Sequence, residues 1–75
     1  MEPYWDAGGD SGVEAYEYGP DYIRVRFRTG SVYLYTYQSA GPSAIERMKT
    51  LARNGNGLNA YISSAVKNGY ARRER

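Results

Sequence analysis

Tyr22-Ile23-Arg24-Val25-Arg26-Phe27-Arg28-Thr29-Gly30-Ser31-Val32-Tyr33-Leu34-Tyr35-Thr36-Tyr37-Gln38 is the stretch that decides the fold. On both sides of Thr29-Gly30, apolar and polar side chains alternate, the period of a strand with one buried face. A two-residue turn at Thr29-Gly30 makes the stretch a hairpin. Pairing Arg28 with Ser31 then sets Phe27 opposite Val32, Arg26 opposite Tyr33, Val25 opposite Leu34 and Arg24 opposite Tyr35. One face collects Ile23, Val25, Phe27, Val32 and Leu34; the other collects Arg24, Arg26, Arg28, Tyr33, Tyr35 and Tyr37. The β-branched and aromatic content supports strands throughout.

Working outward, Val13 to Tyr18 reads as a preceding strand, joined through the turn residues Gly19-Pro20-Asp21. Two registers are open for it. If Tyr18 pairs with Tyr22, then Tyr16 faces Arg24, Glu14 faces Arg26, and Glu17 points at the core. A slip of one residue turns Tyr16 and Tyr18 inward instead. On the other side, Ser39-Ala40-Gly41-Pro42 breaks the sheet, and Ser43-Ala44-Ile45-Glu46 has the form of a capping box. Ile45, Met48, Leu51 and Ala52 recur at helical spacing up to the Asn54-Gly55 stop. A second helix, from about Leu58 to Lys67, carries the stripe Leu58, Tyr61, Ile62, Ala65 and Val66 and ends at Asn68-Gly69. The expected architecture is α+β: a three-stranded antiparallel β-meander packed on two C-terminal α-helices, β-β-β-α-α, over residues 13–70. Residues 1–12 read as an acidic flexible arm in which Tyr4 and Trp5 fold back weakly on the body. Residues 71–75 read as a basic tail.

The bulk numbers bound the function. Seventy-five residues make one domain. The net charge of +2 hides a split. Glu2, Asp6, Asp10, Glu14, Glu17 and Asp21 precede every base, whereas all ten bases follow Tyr22 against Glu46 and Glu74 alone. Such asymmetry fits a basic body that binds a polyanion, and equally an acidic strand that neutralises its basic neighbour. There is no stretch of the ~20 apolar residues a membrane span needs, and no basic-then-apolar leader. A soluble, cytoplasmic chain without membrane contact is the expectation.

The chain has no cysteine and no histidine, so it lacks the usual thiol nucleophile, the neutral-pH proton shuttle and the soft metal ligands. Six of its eight carboxylates lie before Tyr22, and Gly55-x-Gly57 is too short to cradle a phosphate. No enzyme, no cofactor and no metal are expected. The specific hypothesis is single-stranded RNA or another polyanion on the outer sheet face: bases stack on Tyr33, Tyr35 and Tyr37, and phosphates follow Arg24, Arg26 and Arg28, extended by Arg72 and Arg73. The same face, or an exposed edge strand, also suits a protein partner or self-association. Cross-strand Arg–Tyr pairs also stabilise a sheet with no ligand at all. Asn59 reads first as a helix-start hydrogen-bonding residue, and Tyr61 and Tyr70 as packing residues with a polar tip.

From about Ser11 to Arg73 the chain resembles the KTSC domain, a short module found alone in bacterial proteins and at the C-terminus of some lysyl-tRNA synthetases. The likeness lies in Ile23-x-Val25-x-Phe27, Gly30, Tyr33-x-Tyr35, the Gly57-Leu58-Asn59-Ala60-Tyr61-Ile62 segment, and Tyr70 with the arginines after it. The resemblance implies the same α+β fold and points to RNA, the ligand suggested for that family.

Overall fold

A computed structural model describes residues 1–6 and 12–75. In chain order the elements are β1 (Glu2–Pro3), β2 (Val13–Gly19), β3 (Tyr22–Phe27), β4 (Val32–Thr36), α1 (Tyr37–Ala40), α2 (Pro42–Asn54), α3 (Leu58–Ala65) and β5 (Arg72–Arg73). The α+β class is as expected, but the antiparallel sheet has five strands in the order β1-β2-β3-β4-β5, not three.

The central hairpin forms with a register one residue away from the expected one. Phe27 N–H donates to the Ser31 carbonyl (2.8 Å), and Gly30 N–H donates to the Phe27 carbonyl (2.9 Å). The loop is therefore Arg28-Thr29-Gly30, a three-residue connection whose last position takes the positive φ that glycine tolerates (Gly30 φ 94°). The ladder then pairs Ile23 with Tyr35, Arg24 with Leu34, Val25 with Tyr33 and Arg26 with Val32. A one-residue shift moves every β4 side chain to the opposite face. Tyr33 and Tyr35 thus share the inner face with Ile23 and Val25, which corrects the expected Arg/Tyr outer face. The inner face gains two large rings to bury. The displaced Val32 and Leu34 are still buried, on the outer side, where Leu34 lies between Arg24 of β3 and Arg72 of β5. Arginine stems cover apolar surface while their heads stay in water.

β2 takes the slipped register of the two left open. Tyr18 pairs with Ile23, Tyr16 with Val25 and Glu17 with Arg24, so Glu17 faces outward. A bulge between Val13 and Ala15 lets both Val13 and Tyr16 point inward despite their odd spacing.

Both chain ends are strands, which corrects the arm and tail. Glu2 and Pro3 pair with Tyr16 and Ala15, and Arg72 and Arg73 pair with Leu34 and Tyr33. Tyr4 is 6 % exposed and belongs to the core, whereas Trp5 is 77 % exposed. The remainder of the expected arm, residues 7–11, lies outside the described residues.

β4 stops at Thr36 because Thr36 caps a single helical turn. Its Oγ1 accepts from Ser39 N–H (3.0 Å), and Ser39 Oγ accepts from Thr36 N–H (2.9 Å). Tyr37 is therefore in α1, not in the sheet. The capping box expected at Ser43–Glu46 does not form: α2 begins after Gly41 with Pro42 in its first turn, a position that needs no N–H. α2 ends as expected, with Gly55 left-handed (φ 68°) and its N–H on the carbonyls of Leu51 and Ala52. α3 stops two residues before Lys67, at Ala65. The helices pack on the inner sheet face, and Val13, Ile23, Val25, Tyr35, Ile45, Met48 and Leu58 form the fully buried centre.

Candidate functional site

The residues expected to share one binding face divide between the two faces of the sheet, with two more standing apart. Arg24, Arg26 and Arg72 lie on the outer face, each with a carboxylate. Arg24 Nη1 donates to Glu17 (2.6 Å) and its Nε donates to Glu74. Arg26 Nε donates to Glu14 (2.8 Å), and Arg72 Nη2 lies 3.0 Å from Glu74. The bond from Arg24, with that from Arg72, holds Glu74 below its ordinary carboxylate range, and the same bond to Glu74 makes Arg24 still harder to deprotonate. The acidic N-terminal stretch and Glu74 thus neutralise this face. Two further residues stand apart. Arg28 donates to Asp6 (3.2 Å) at the hairpin tip, and Tyr37 donates to Glu46 (2.6 Å), which raises the Tyr37 phenol.

Tyr33, Tyr35 and Arg73 lie on the other side of the sheet, where Tyr33 and Tyr35 line a groove of about 600 Å³ and Arg73 packs against Tyr33. Its sheet wall is aromatic: Phe27, Tyr33, Tyr35 and Tyr70. Tyr33 stands edge-on to Tyr70 (centroids 4.8 Å apart) and to Phe27 (5.7 Å), and Tyr70 is also edge-on to Tyr35 (6.3 Å). Edge-to-face packing is the favoured geometry of such rings. It leaves Tyr70 36 % exposed at the mouth, while Tyr35 at the base is 2 % exposed. Burial, and then the neighbouring Tyr33 and Tyr70, push the Tyr35 phenol up to about 12.

The opposite wall comes from α3 and the turn after it. Asn59, Ile62 and Ser63 follow the i, i+3, i+4 spacing of one helix face, and Lys67 and Asn68 continue beyond the helix end. No carboxylate lines the groove. Arg73 sits with its guanidinium 5.8 Å from the Tyr33 ring centre and donates to Ser31 Oγ (3.1 Å) and the Arg75 carbonyl (2.8 Å). Aromatic rings, two primary amides, a hydroxyl and the Lys67 ammonium thus line one groove.

Tyr70, Asn59, Ser63, Lys67 and Asn68 were not expected at a site. The signal that could have found them is the i, i+4 pair Asn59 and Ser63 beside the apolar stripe of α3, with an aromatic residue just past the Asn68-Gly69 stop. Among the described residues, no helix is long and apolar enough to cross a membrane, and no cluster of three or more His, Cys, Asp or Glu is placed to hold a metal. No protein-family model, curated protein or solved structure matches the chain.

Proposed function

We propose that this chain is a small, non-catalytic binding module that takes single-stranded nucleic acid, RNA in particular, in the groove between the sheet and α3. The observation that carries this reading is an aromatic wall across the groove from Asn59, Ser63 and Lys67, with no carboxylate in the lining and Arg73 beside Tyr33. Single strands are held by stacking bases on aromatic planes while cations follow the phosphates. The outer face is a weaker candidate, because its arginines already hold Glu14, Glu17 and Glu74. A strand-pairing partner is also disfavoured: both sheet edges are two-residue strands, and short edges resist such pairing. Kinship with the KTSC domain is part of the same proposal. Of the residues that carry the likeness, Phe27, Tyr33, Tyr35, Asn59, Ile62 and Tyr70 line this groove.

The test is an NMR titration of labelled protein with mixed-sequence single-stranded RNA. Shifts are expected at Tyr33, Asn59, Lys67 and Tyr70, with affinity falling as salt rises because counterions are released. Tyr70→Ala should weaken binding about tenfold, in line with roughly 1–3 kcal/mol per stacked base. Arg26→Ala should leave binding unchanged. Shifts confined to the outer face, or no salt-sensitive binding, would sink the reading.

A further inference from the structure

Asn-Gly occurs three times in the chain, at Asn54-Gly55, Asn56-Gly57 and Asn68-Gly69. The dipeptide can react with itself. Glycine has no side chain to shield its nitrogen, so that nitrogen can close a succinimide ring on the asparagine Cγ. A fold holds the reaction back where it ties up the glycine N–H or fixes the backbone, because that hydrogen bond must open first.

The fold treats the three pairs differently. Asn54 is the last residue of α2, and Gly55 N–H is held by the carbonyls of Leu51 (3.0 Å) and Ala52 (3.1 Å). Gly55 is also buried, with Trp5 lying over the place a Cβ would take. Gly69 N–H is held by the Val66 carbonyl (2.7 Å), and a Cβ on Gly69 would stand 3.4 Å from Ala40 Cβ. Asn56-Gly57 differs on each count. Both residues are exposed. Gly57 lies just outside α3, and its N–H donates to no other described residue. The Asn56 side chain makes no hydrogen bond to another described residue either. A Cβ on Gly57 would meet only Leu51 Cδ2, at the ordinary contact distance of 3.7 Å.

We propose that Asn56-Gly57 is a self-modifying site, at which Asn56 loses ammonia and becomes aspartate or isoaspartate ahead of the other two pairs. The Gly57 nitrogen gives its proton to hydroxide and attacks Cγ. A C–N bond forms, the Cγ–Nδ2 bond breaks, and Nδ2 takes a proton from water and leaves as ammonia. Water then opens the imide. Cleavage at Cγ leaves aspartate; cleavage at the main-chain carbonyl leaves isoaspartate, whose chain runs through Cγ and is longer by a methylene. Nothing is oxidised or reduced. Either product puts a carboxylate beside the start of α3, whose first turn holds no acidic residue. Negative charge is favoured there, so the aspartate form keeps the fold. The isoaspartate form lengthens the link between α2 and α3, and α3 carries Asn59, Ile62 and Ser63 of the groove wall. The site is thus tied to the groove by position, whatever the groove binds.

The test is peptide mapping by mass spectrometry of the full chain, aged in mildly alkaline buffer both folded and in urea. In the folded protein Asn56 should convert at least about fivefold faster than Asn54 and Asn68, the rate cost of breaking one backbone hydrogen bond before attack. In urea the three rates should converge, because only the fold separates them. Conversion at Asn56 should quicken with pH and be absent from Asn56→Gln, whose longer side chain closes the ring poorly. Asn56→Asp is the aspartate product made directly, and its urea midpoint should be no lower than that of wild type. A lower midpoint would overturn the claim that α3 accommodates the product. Equal rates at the three pairs in the folded protein, faster conversion at Asn54 or Asn68, or an Asn56 rate that urea raises as much as the other two would overturn the site itself.

Discussion

Tyr35 belongs at once to the core and to the groove floor. Its phenol is held up to about 12 by burial, whereas tyrosines in an unfolded chain ionise near ~10. Between those values the folded protein keeps a proton that the unfolded chain releases. Stability from this group is therefore complete below pH ~10 and declines as pH rises toward the folded value. Tyr35→Phe removes that component. Its hydroxyl makes no hydrogen bond to another described residue, so the change at neutral pH should be within about 0.5 kcal/mol. Urea midpoints measured from pH 7 to pH 11 check this: wild type should fall more steeply than Tyr35→Phe in the alkaline range, and parallel curves would refute it. Gly30 is a second position where one residue carries a structural decision. A Cβ there would enter open space, so the whole cost of Gly30→Ala lies in the positive φ. The expected loss is about 1 kcal/mol, measured by chemical denaturation. A neutral Gly30→Ala would mean that the three-residue loop is not what sets the hairpin register.

At the scale of elements, the N-terminal segment is a strap that completes the helical layer. α3 begins after Gly57 with no side-chain cap of its own. Its Leu58 N–H donates instead to the Tyr4 hydroxyl (3.2 Å), more than fifty residues away in sequence. The ring of Tyr4 fills the core beneath, and Tyr4 N–H holds the strap to the Glu14 carbonyl (3.0 Å). Tyr4→Phe should cost about 1 kcal/mol, the worth of a helix-start hydrogen bond. Tyr4→Ala should cost about 3–5 kcal/mol, as other large-to-small aromatic changes in cores do. Two denaturation curves separate the ring from the hydroxyl; equal losses in the two variants would contradict the cap. The pattern of what was legible follows from such cases. The strands at 22–27 and 32–36 and both long helices were legible because alternation and helical spacing are local properties. The hairpin register was not, because Thr29-Gly30 suits a two-residue turn while Arg28-Thr29-Gly30 suits a three-residue one. One residue of loop length decides which face receives Tyr33 and Tyr35. The straps were hidden because two-residue strands carry no periodicity, and only the completed sheet pairs them. The groove was hidden for both reasons, since it needs the true register of β4 and the path of the strand that follows Tyr70.

At the scale of the whole molecule, the two faces of the sheet are linked through β5. On the outer face Glu74 is bound by Arg24 and Arg72, and its N–H donates to the Val32 carbonyl (2.7 Å). On the inner face the same segment brings Tyr70 to the groove wall and packs Arg73 on Tyr33, with Ala71 N–H fixed to the Leu34 carbonyl (2.6 Å). Arg24 and Arg72 thus clasp, through Glu74, the segment that follows Tyr70 of the groove wall. Glu74→Gln weakens the clasp. With both partners partly buried, the expected loss is about 1–2 kcal/mol, above the value of an exposed pair. RNA affinity should fall with it, although Glu74 lines no part of the groove. Arg26→Ala is the built-in control: it breaks only the exposed pair with Glu14 and should change stability by less than about 1 kcal/mol and affinity not at all. The clasp also has a sign in pH. Glu74 is held below its ordinary range in the folded protein, so its contribution is present above the unfolded value near ~4.3 and is lost as pH falls through the folded one. Acidification of wild type should thus move the ring-current shifts of Tyr33 and Tyr70 toward those of Glu74→Gln before the rest of the spectrum unfolds. In Glu74→Gln the same shifts should be flat over that range. If Glu74→Gln leaves the Tyr70 resonances and the RNA affinity at wild-type values, the two faces are independent and the clasp serves the outer face alone.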